Sequence, residues 1–251
     1  NGGEGFDIKY RSMFLEFIPN RMPMKLIPQY IENAINENQV FLEGVSDLMQ
    51  LYRLAYFGYS TWSIGGKDSL LYKMYYYKPV LKVKDESKFK GDINSGKNYY
   101  WYSFYLLDGN FSREQLMNSL QKDLYLNFGY QVEVVDREMP YWRVTVDNEK
   151  FKNLVTKGGQ MQWVLDGLNL YQKFVNYPLN EVIQKMFRDV YSKTDPIIVD
   201  SKFSSIPIDL ELLQSVGNDF NTVKEELGRY GIIVQKNTKE FKVLLISDNT
   251  L

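Results

Sequence analysis

Three aspartates, Asp195, Asp200 and Asp209, flank short apolar runs in the second half of the chain. If two of them met in a cleft, they could divide the acid and base roles of glycoside hydrolysis, which needs carboxyl groups about 5–9 Å apart. The chain leaves acid–base chemistry few other instruments, because it contains no histidine and no cysteine. A thiol nucleophile, a zinc–thiolate site, an iron–sulfur cluster, a disulfide framework and an imidazole base are all excluded within it. Carboxylates, lysine, tyrosine and serine remain. The simpler reading of the three aspartates is strand-end turn residues and surface charge.

Two loop patterns suggest ligands and fail on inspection. Gly91-Asp92-Ile93-Asn94-Ser95-Gly96-Lys97-Asn98 has the glycine-to-Gly-Lys spacing of a phosphate-binding loop. Asn98 stands where a Ser or Thr would bind magnesium, and the loop leads into an aromatic run with strand character, not into a helix whose N-terminus would face phosphate. The same stretch places Asp92 and Asn94 like calcium-loop ligands, but the glycine comes one position early, at Gly96. Ser103 also replaces the bidentate Glu at the end of such a loop. A hairpin loop is expected here, and no cofactor and no metal.

Twenty tyrosines are a further signal. Alternation along a strand puts Tyr99, Trp101, Ser103 and Tyr105 on one face and Tyr100, Tyr102 and Phe104 on the other. One face should belong to the core. The other, with Tyr75 and Tyr77 from the run Tyr75-Tyr76-Tyr77, is the candidate binding surface for a glycan, a peptide or an envelope protein. Tyr75, Tyr77, Tyr99, Trp101 and Tyr105 are therefore the candidate ligand-binding residues. The competing expectation is that both faces are covered.

The elements that must position these residues follow from periodicity. A helix is predicted from a cap at Ser46 through Leu48, Leu51, Tyr52 and Ala55, ending at Gly58. Ser112-Arg113-Glu114-Gln115 reads as a capping box before a stripe of Leu116, Leu120, Leu124 and Phe128. Strands are expected over 72–85, 99–107, 130–136, 141–146, 197–200, 206–210, 232–235 and 241–247. Further helices are expected from Pro178 to Val190 and after a cap at Asn221. The segment 163–171 gives no clear pattern. Paired strands and helices without strict alternation indicate an α+β fold of antiparallel sheets with helices packed on one face.

Two stretches repeat one plan. Phe128-Gly129 precedes strand 130–136, a basic–acidic pair Arg137-Glu138, strand 141–146 and Asp147-Asn148. Tyr230-Gly231 precedes strand 232–235, Lys239-Glu240, strand 241–247 and Asp248-Asn249. Each follows an amphipathic helix, so the expectation is two related helix–β-hairpin units. The glycine-rich connection Thr156-Lys157-Gly158-Gly159 then separates an N-terminal unit, 1–155, from a C-terminal unit, 160–251.

Composition sets the outer limits. Thirty basic residues meet thirty-one acidic ones, for a net charge of −1, so no nucleic-acid footprint is present. No apolar run reaches the length of a membrane span. The start, Asn1-Gly2-Gly3-Glu4-Gly5, reads as a polar leader that trimming of a precursor could leave.

Pro196-Ile197-Ile198-Val199-Asp200, Ile206-Pro207-Ile208-Asp209-Leu210, the helix Phe220–Tyr230, Gly231-Ile232 and Val243-Leu244-Leu245-Ile246-Ser247-Asp248 follow one another in order. This succession resembles an uncharacterised extracytoplasmic domain family of Bacteroidota and soil bacteria, sometimes found after thioredoxin-like domains. The family's Thr-Gly turn is absent, Ser201-Lys202-Phe203-Ser204 standing in its place. Leu48–Tyr56, Leu116–Phe128, Arg137-Glu138 and Trp142–Val146 extend the resemblance over about residues 40–249. The second half is more loosely similar to the short N-terminal modules of secretins and TonB-dependent receptors. The resemblance implies a periplasmic or cell-surface location after removal of a signal sequence. The expected function is that of a non-enzymatic binding or assembly protein of the cell envelope. A carboxylate-dependent glycan hydrolase is the alternative, and a scaffold for a separate redox protein is a third reading.

Overall fold

A computed structural model describes residues 10–22, 24–36, 39–60, 74–107, 111–165, 171–187, 194–213 and 219–249. The chain has an α+β fold, with antiparallel pairing dominating its sheets. It divides into two compact units. The first comprises residues 1–62, 77–135 and 242–251, and the second 63–76 and 136–241. The glycine-rich connection at 156–159 lies inside the second unit.

The first unit begins with strands β1 (Tyr10–Glu16), β2 (Ile35–Asn36) and β3 (Gln39–Asp47). Helix α1 (Leu48–Phe57) starts where the Asp47 carboxylate accepts the Gln50 N–H at 2.8 Å, a cap worth about 1 kcal/mol. Leu48, Leu51, Tyr52 and Ala55 line its buried face, and Gly58 closes it in the left-handed conformation. Strands β4 (Val80–Lys82) and β5 (Tyr99–Leu107) follow, with a 3-10 turn at Glu86–Phe89 between them. The expected capping box opens helix α2 (Arg113–Phe128), and Leu116, Leu120 and Leu124 are completely buried. Each such leucine contributes about 1.5–3 kcal/mol of burial. The antiparallel sheet of this unit has the order β1-β5-β3-β2.

The second unit contains the short helix α3 (Asn148–Phe151), strands β7 (Gln162–Leu165) and β8 (Tyr171–Pro178), and helix α4 (Leu179–Met186). Strand β9 (Ile197–Val199), the short helix α5 (Ser201–Ser204), β10 (Pro207–Leu213) and α6 (Phe220–Arg229) complete it. Its antiparallel sheet has the order β10-β8-β7.

The expected hairpins are absent. Residues 130–146 form one unbroken strand, β6, and residues 232–248 form another, β11. A tight hairpin turn needs left-handed residues, usually glycine. Neither 137–140 nor 236–240 contains a glycine, and neither stretch adopts a positive φ. The charged residues that suggested a turn instead form exposed strand, with Pro140 half-buried in it. β6 and β11 are neighbours in a sheet of order β4-β11-β6-β9.

The repetition is real but larger than the hairpin motif. From β3 the chain runs strand, α1, short strand β4, 3-10 turn, β5, α2 and long strand β6. From β8 it runs strand, α4, short strand β9, short helix α5, β10, α6 and long strand β11. Pairings match as well. β5 and β10 lie antiparallel to β3 and β8, while β2 and β7 flank the same strands on the other side. β4 runs parallel to the end of β11, and β9 parallel to the end of β6. The short turns even share a sequence: Asp85-Glu86-Ser87-Lys88-Phe89 against Asp200-Ser201-Lys202-Phe203, each ending in a buried phenylalanine.

Each unit thus joins the helix and strand start of one copy to the strand end of the other. In the second unit the Asp147 N–H, at the end of β6, donates to the Gly231 carbonyl at the start of β11 (2.7 Å). In the first, Gln131 near the start of β6 donates to Asn249 beyond the end of β11 (3.0 Å). The two glycine stops differ in crowding. A Cβ at Gly129 would meet nothing within 4 Å, whereas one at Gly231 would lie 2.6 Å from the Lys150 Cβ. Gly129→Ala should therefore cost only the left-handed backbone term, about 1–2 kcal/mol. Gly231→Ala should cost more. Denaturant unfolding of the two variants measures the difference, and equal losses would contradict the tight packing at Gly231.

Candidate functional site: an open sheet edge

The candidate aromatic residues do not form one exposed surface. At the centre of β5, Trp101 is 8% exposed and packs with Phe17 and Val45. On the opposite face Tyr102 and Phe104 are fully buried. The Tyr102 hydroxyl donates to Asp123 of α2 at 2.7 Å, and Ser12 of β1 donates to the same carboxylate. Burial, reinforced by the Asp123 charge, pushes the Tyr102 pKa far up, so this phenol stays neutral and serves as a donor. Tyr99 is half-buried and packs on the Trp101 cluster. Tyr105 is half-buried with its ring edge-on to Phe41. Tyr77 is buried, with the Lys78 ammonium over its ring. Tyr75 is half-buried and belongs to the second unit, unlike the other four. A groove of about 370 Å³ does lie beside Tyr99, between Glu16–Pro19 and Ser95–Tyr100.

The three aspartates have separate partners. Asp195 accepts from the Tyr76 hydroxyl at 2.9 Å. Asp200 is held by both arms of Arg143, at 2.8 and 2.7 Å. Asp209 accepts the Asn176 backbone N–H at 2.8 Å, which with further donors holds its carboxyl below the ordinary range. A general acid needs the opposite shift. Each of the three holds a different piece of the second unit in place.

The loop at 91–98 is a hairpin-like turn closed by pairing of Asp92 with Lys97. The Asp92 carboxylate accepts from the Asn94 N–H and the Ser95 hydroxyl, so the loop's donors turn onto its own side chain. It leads directly into β5. Among the described residues no group of three or more carboxylates is arranged to hold a metal.

The unsatisfied surface lies elsewhere, on a strand whose pattern gave no clear reading. Among the described residues β7 is an edge strand, paired only with β8. Alternation turns Trp163 towards the core side with Phe174, its pairing partner, and the two rings stack at 6.3 Å. Lys185 of α4 sets its ammonium 4.0 Å from the Trp163 ring centre and 5.6 Å from that of Tyr177. Even so, Trp163 is 38% exposed, Val164 45%, Leu165 43% and the adjoining Met161 53%. An apolar edge of this kind normally carries a lysine, a proline or a covering segment that blocks further pairing. Gln162-Trp163-Val164-Leu165 has none of these in its own sequence. The signal was legible as a short β-prone apolar run, but it is too brief to separate from a helix by periodicity.

No protein-family model, curated protein or solved structure matches this chain. The site's reading therefore rests on its chemistry. Because Val164 points away from the core, Val164→Lys should change stability by no more than about 0.5 kcal/mol. Phe174→Ala, beneath the same strand, should cost about 3–5 kcal/mol. Thermal or denaturant unfolding separates the two, and a large loss in Val164→Lys would show that β7 is covered.

Proposed function

We propose that this chain is a non-enzymatic binding or assembly protein that takes extended polypeptide onto the open edge of its second unit. The observation that carries this reading is β7: four strand residues, apolar at three positions, exposed and, among the described residues, unpaired along one side. Strand addition uses such an edge directly. Backbone hydrogen bonds supply affinity, and alternate side chains supply selectivity. Trp163, held by Lys185 and Phe174, offers a rigid aromatic anchor of the kind that dominates interface energetics. The cell envelope is the proposed setting, on the strength of the extracytoplasmic resemblance in the segments around Val199-Asp200 and Asp209-Leu210. Fractionation of the producing cell checks it, and recovery of the chain in the cytosolic fraction would refute it.

The test of binding is selection. A display library of random linear octapeptides is panned against the wild-type chain and against Val164→Lys. The proposal predicts recurrent alternating apolar peptides on the wild type and at least a tenfold loss of their recovery on the variant. Equal recovery on both, or no enrichment on the wild type, would contradict it.

A further inference from the structure

We infer that the opposite edge of the same sheet, along β10, is a second strand-accepting site, and that its partner is an extended segment bearing an apolar ring two residues after a hydroxyl. The inference comes from the duplication and is independent of β7.

In the first unit β5 is covered on its outer side by β1. The two pair along seven positions, from Tyr10↔Leu106 to Glu16↔Tyr100. In the second copy the counterpart of β1 shrinks to residues 154–156, where Val155 bridges Ile208 as Glu16 pairs with Tyr100, and nothing there corresponds to Tyr10–Phe14. There the chain entering the repeat touches β10 only at its start. The Thr156 N–H donates to the Pro207 carbonyl (3.1 Å), and the Asp209 N–H donates to the Leu154 carbonyl (2.8 Å). Beyond Asp209, no strand lies beside the outer side of β10 among the described residues. Since Pro207 and Asp209 face outward, period-two alternation sends the backbone groups of Glu211 and Leu213 the same way. The one hydrogen bond made there confirms the direction: the Tyr230 hydroxyl donates to the Glu211 carbonyl at 3.1 Å. Leu213 itself is exposed.

The filled site in the first unit shows what the occupant needs. Phe14 of β1 packs edge-on against Phe128, the aromatic residue before the glycine stop of α2 (5.4 Å), and Ser12 donates to Asp123 on that helix. In the second unit Tyr230 is the aromatic residue before the glycine stop. Glu226 on α6, largely shielded and tied to Arg229 at 2.8 Å, supplies the carboxylate. The Glu226 charge acts on the Tyr230 hydroxyl, whose pKa burial already raises. An incoming strand would replace the Tyr230 hydroxyl at the Glu211 carbonyl with its own N–H. It would place a ring on Tyr230 and a hydroxyl against Glu226.

The probe is the blocked pentapeptide Tyr-Arg-Ser-Met-Phe, copied from the part of β1 that has no counterpart, added to the 15N-labelled full chain and followed by amide shifts. The expected result is saturable shifts at Glu211, Leu213 and Tyr230. Replacing the peptide's phenylalanine with alanine should weaken binding at least tenfold. In Tyr230→Phe, which removes the competing hydroxyl but keeps the ring, binding should be as tight or tighter. Any of these results would overturn the inference: no shifts at millimolar peptide, equal shifts with a scrambled pentapeptide, or shifts confined to Tyr99–Leu107, which would mean exchange with the chain's own β1. Concentration-dependent shifts at Glu211 and Leu213 without peptide would overturn it in favour of a second copy of the chain. Because β7 plays no part in these amides, Val164→Lys should leave the titration unchanged.

Discussion

The rest of the structure depends on two strands, β6 and β11, each 17 residues long and each shared between both compact units. A hairpin would have kept each repeat within one unit. Unbroken strands instead carry the end of each copy into the unit founded by the other. The Asp-Asn pairs at their ends acquire local tasks there. The Asp147 side chain accepts from the Glu149 N–H to start α3, and Asp248 accepts the Lys84 N–H beside β4. Neither unit is a contiguous stretch of sequence, so each requires the long strand of the other copy to complete its core.

The duplication also separates scaffold from candidate site. Buried positions correspond between the copies: Leu48, Leu51, Tyr52 and Ala55 in α1, and Leu179, Val182, Ile183 and Met186 in α4. The outer edges of the sheets do not correspond. The first unit closes one edge with the seven-residue β1 and leaves only two residues of β2 at the other. Among the described residues the second has four exposed residues of β7 at one edge and the far half of β10 at the other. The equivalence of the two folds makes the difference informative, since what covers an edge in one copy shows what an uncovered edge in the other could accept. Exposed backbone donors and acceptors beside apolar side chains form a template for strand pairing.

Much of the scaffold was legible in the sequence because local chemistry decided it. The Ser112–Gln115 capping box, the Leu116-Leu120-Leu124 stripe and the stop at Gly129 are satisfied within a few residues of one another. The aromatic strand 99–107 was equally plain. The long strands look like hairpins in the sequence because their middles are exposed. Asp136, Arg137 and Glu138, like Gln235 to Thr238, have no buried face and so show no alternation. Charge and Pro140 then imitate a turn. The candidate site was misplaced for a related reason. Tyrosine content marked β5, but sequence does not reveal that α2 covers one of its faces and the turn after β1 the other, with β1 paired along its edge. β7 was missed because exposure at a sheet edge is a property of topology: Gln162-Trp163-Val164-Leu165 reads the same whether a neighbouring strand covers it or not.

The central claim is that residues 137–140 and 236–240 continue their strands and do not reverse them. Backbone nuclear Overhauser effects in a perdeuterated, amide-protonated sample test it most directly. Unbroken strands predict extended couplings through both stretches, with the amide of Asp147 close to Gly231. Hairpins would instead bring residues 135 and 142 into register within one copy, and observing that contact without the Asp147–Gly231 one would contradict the account.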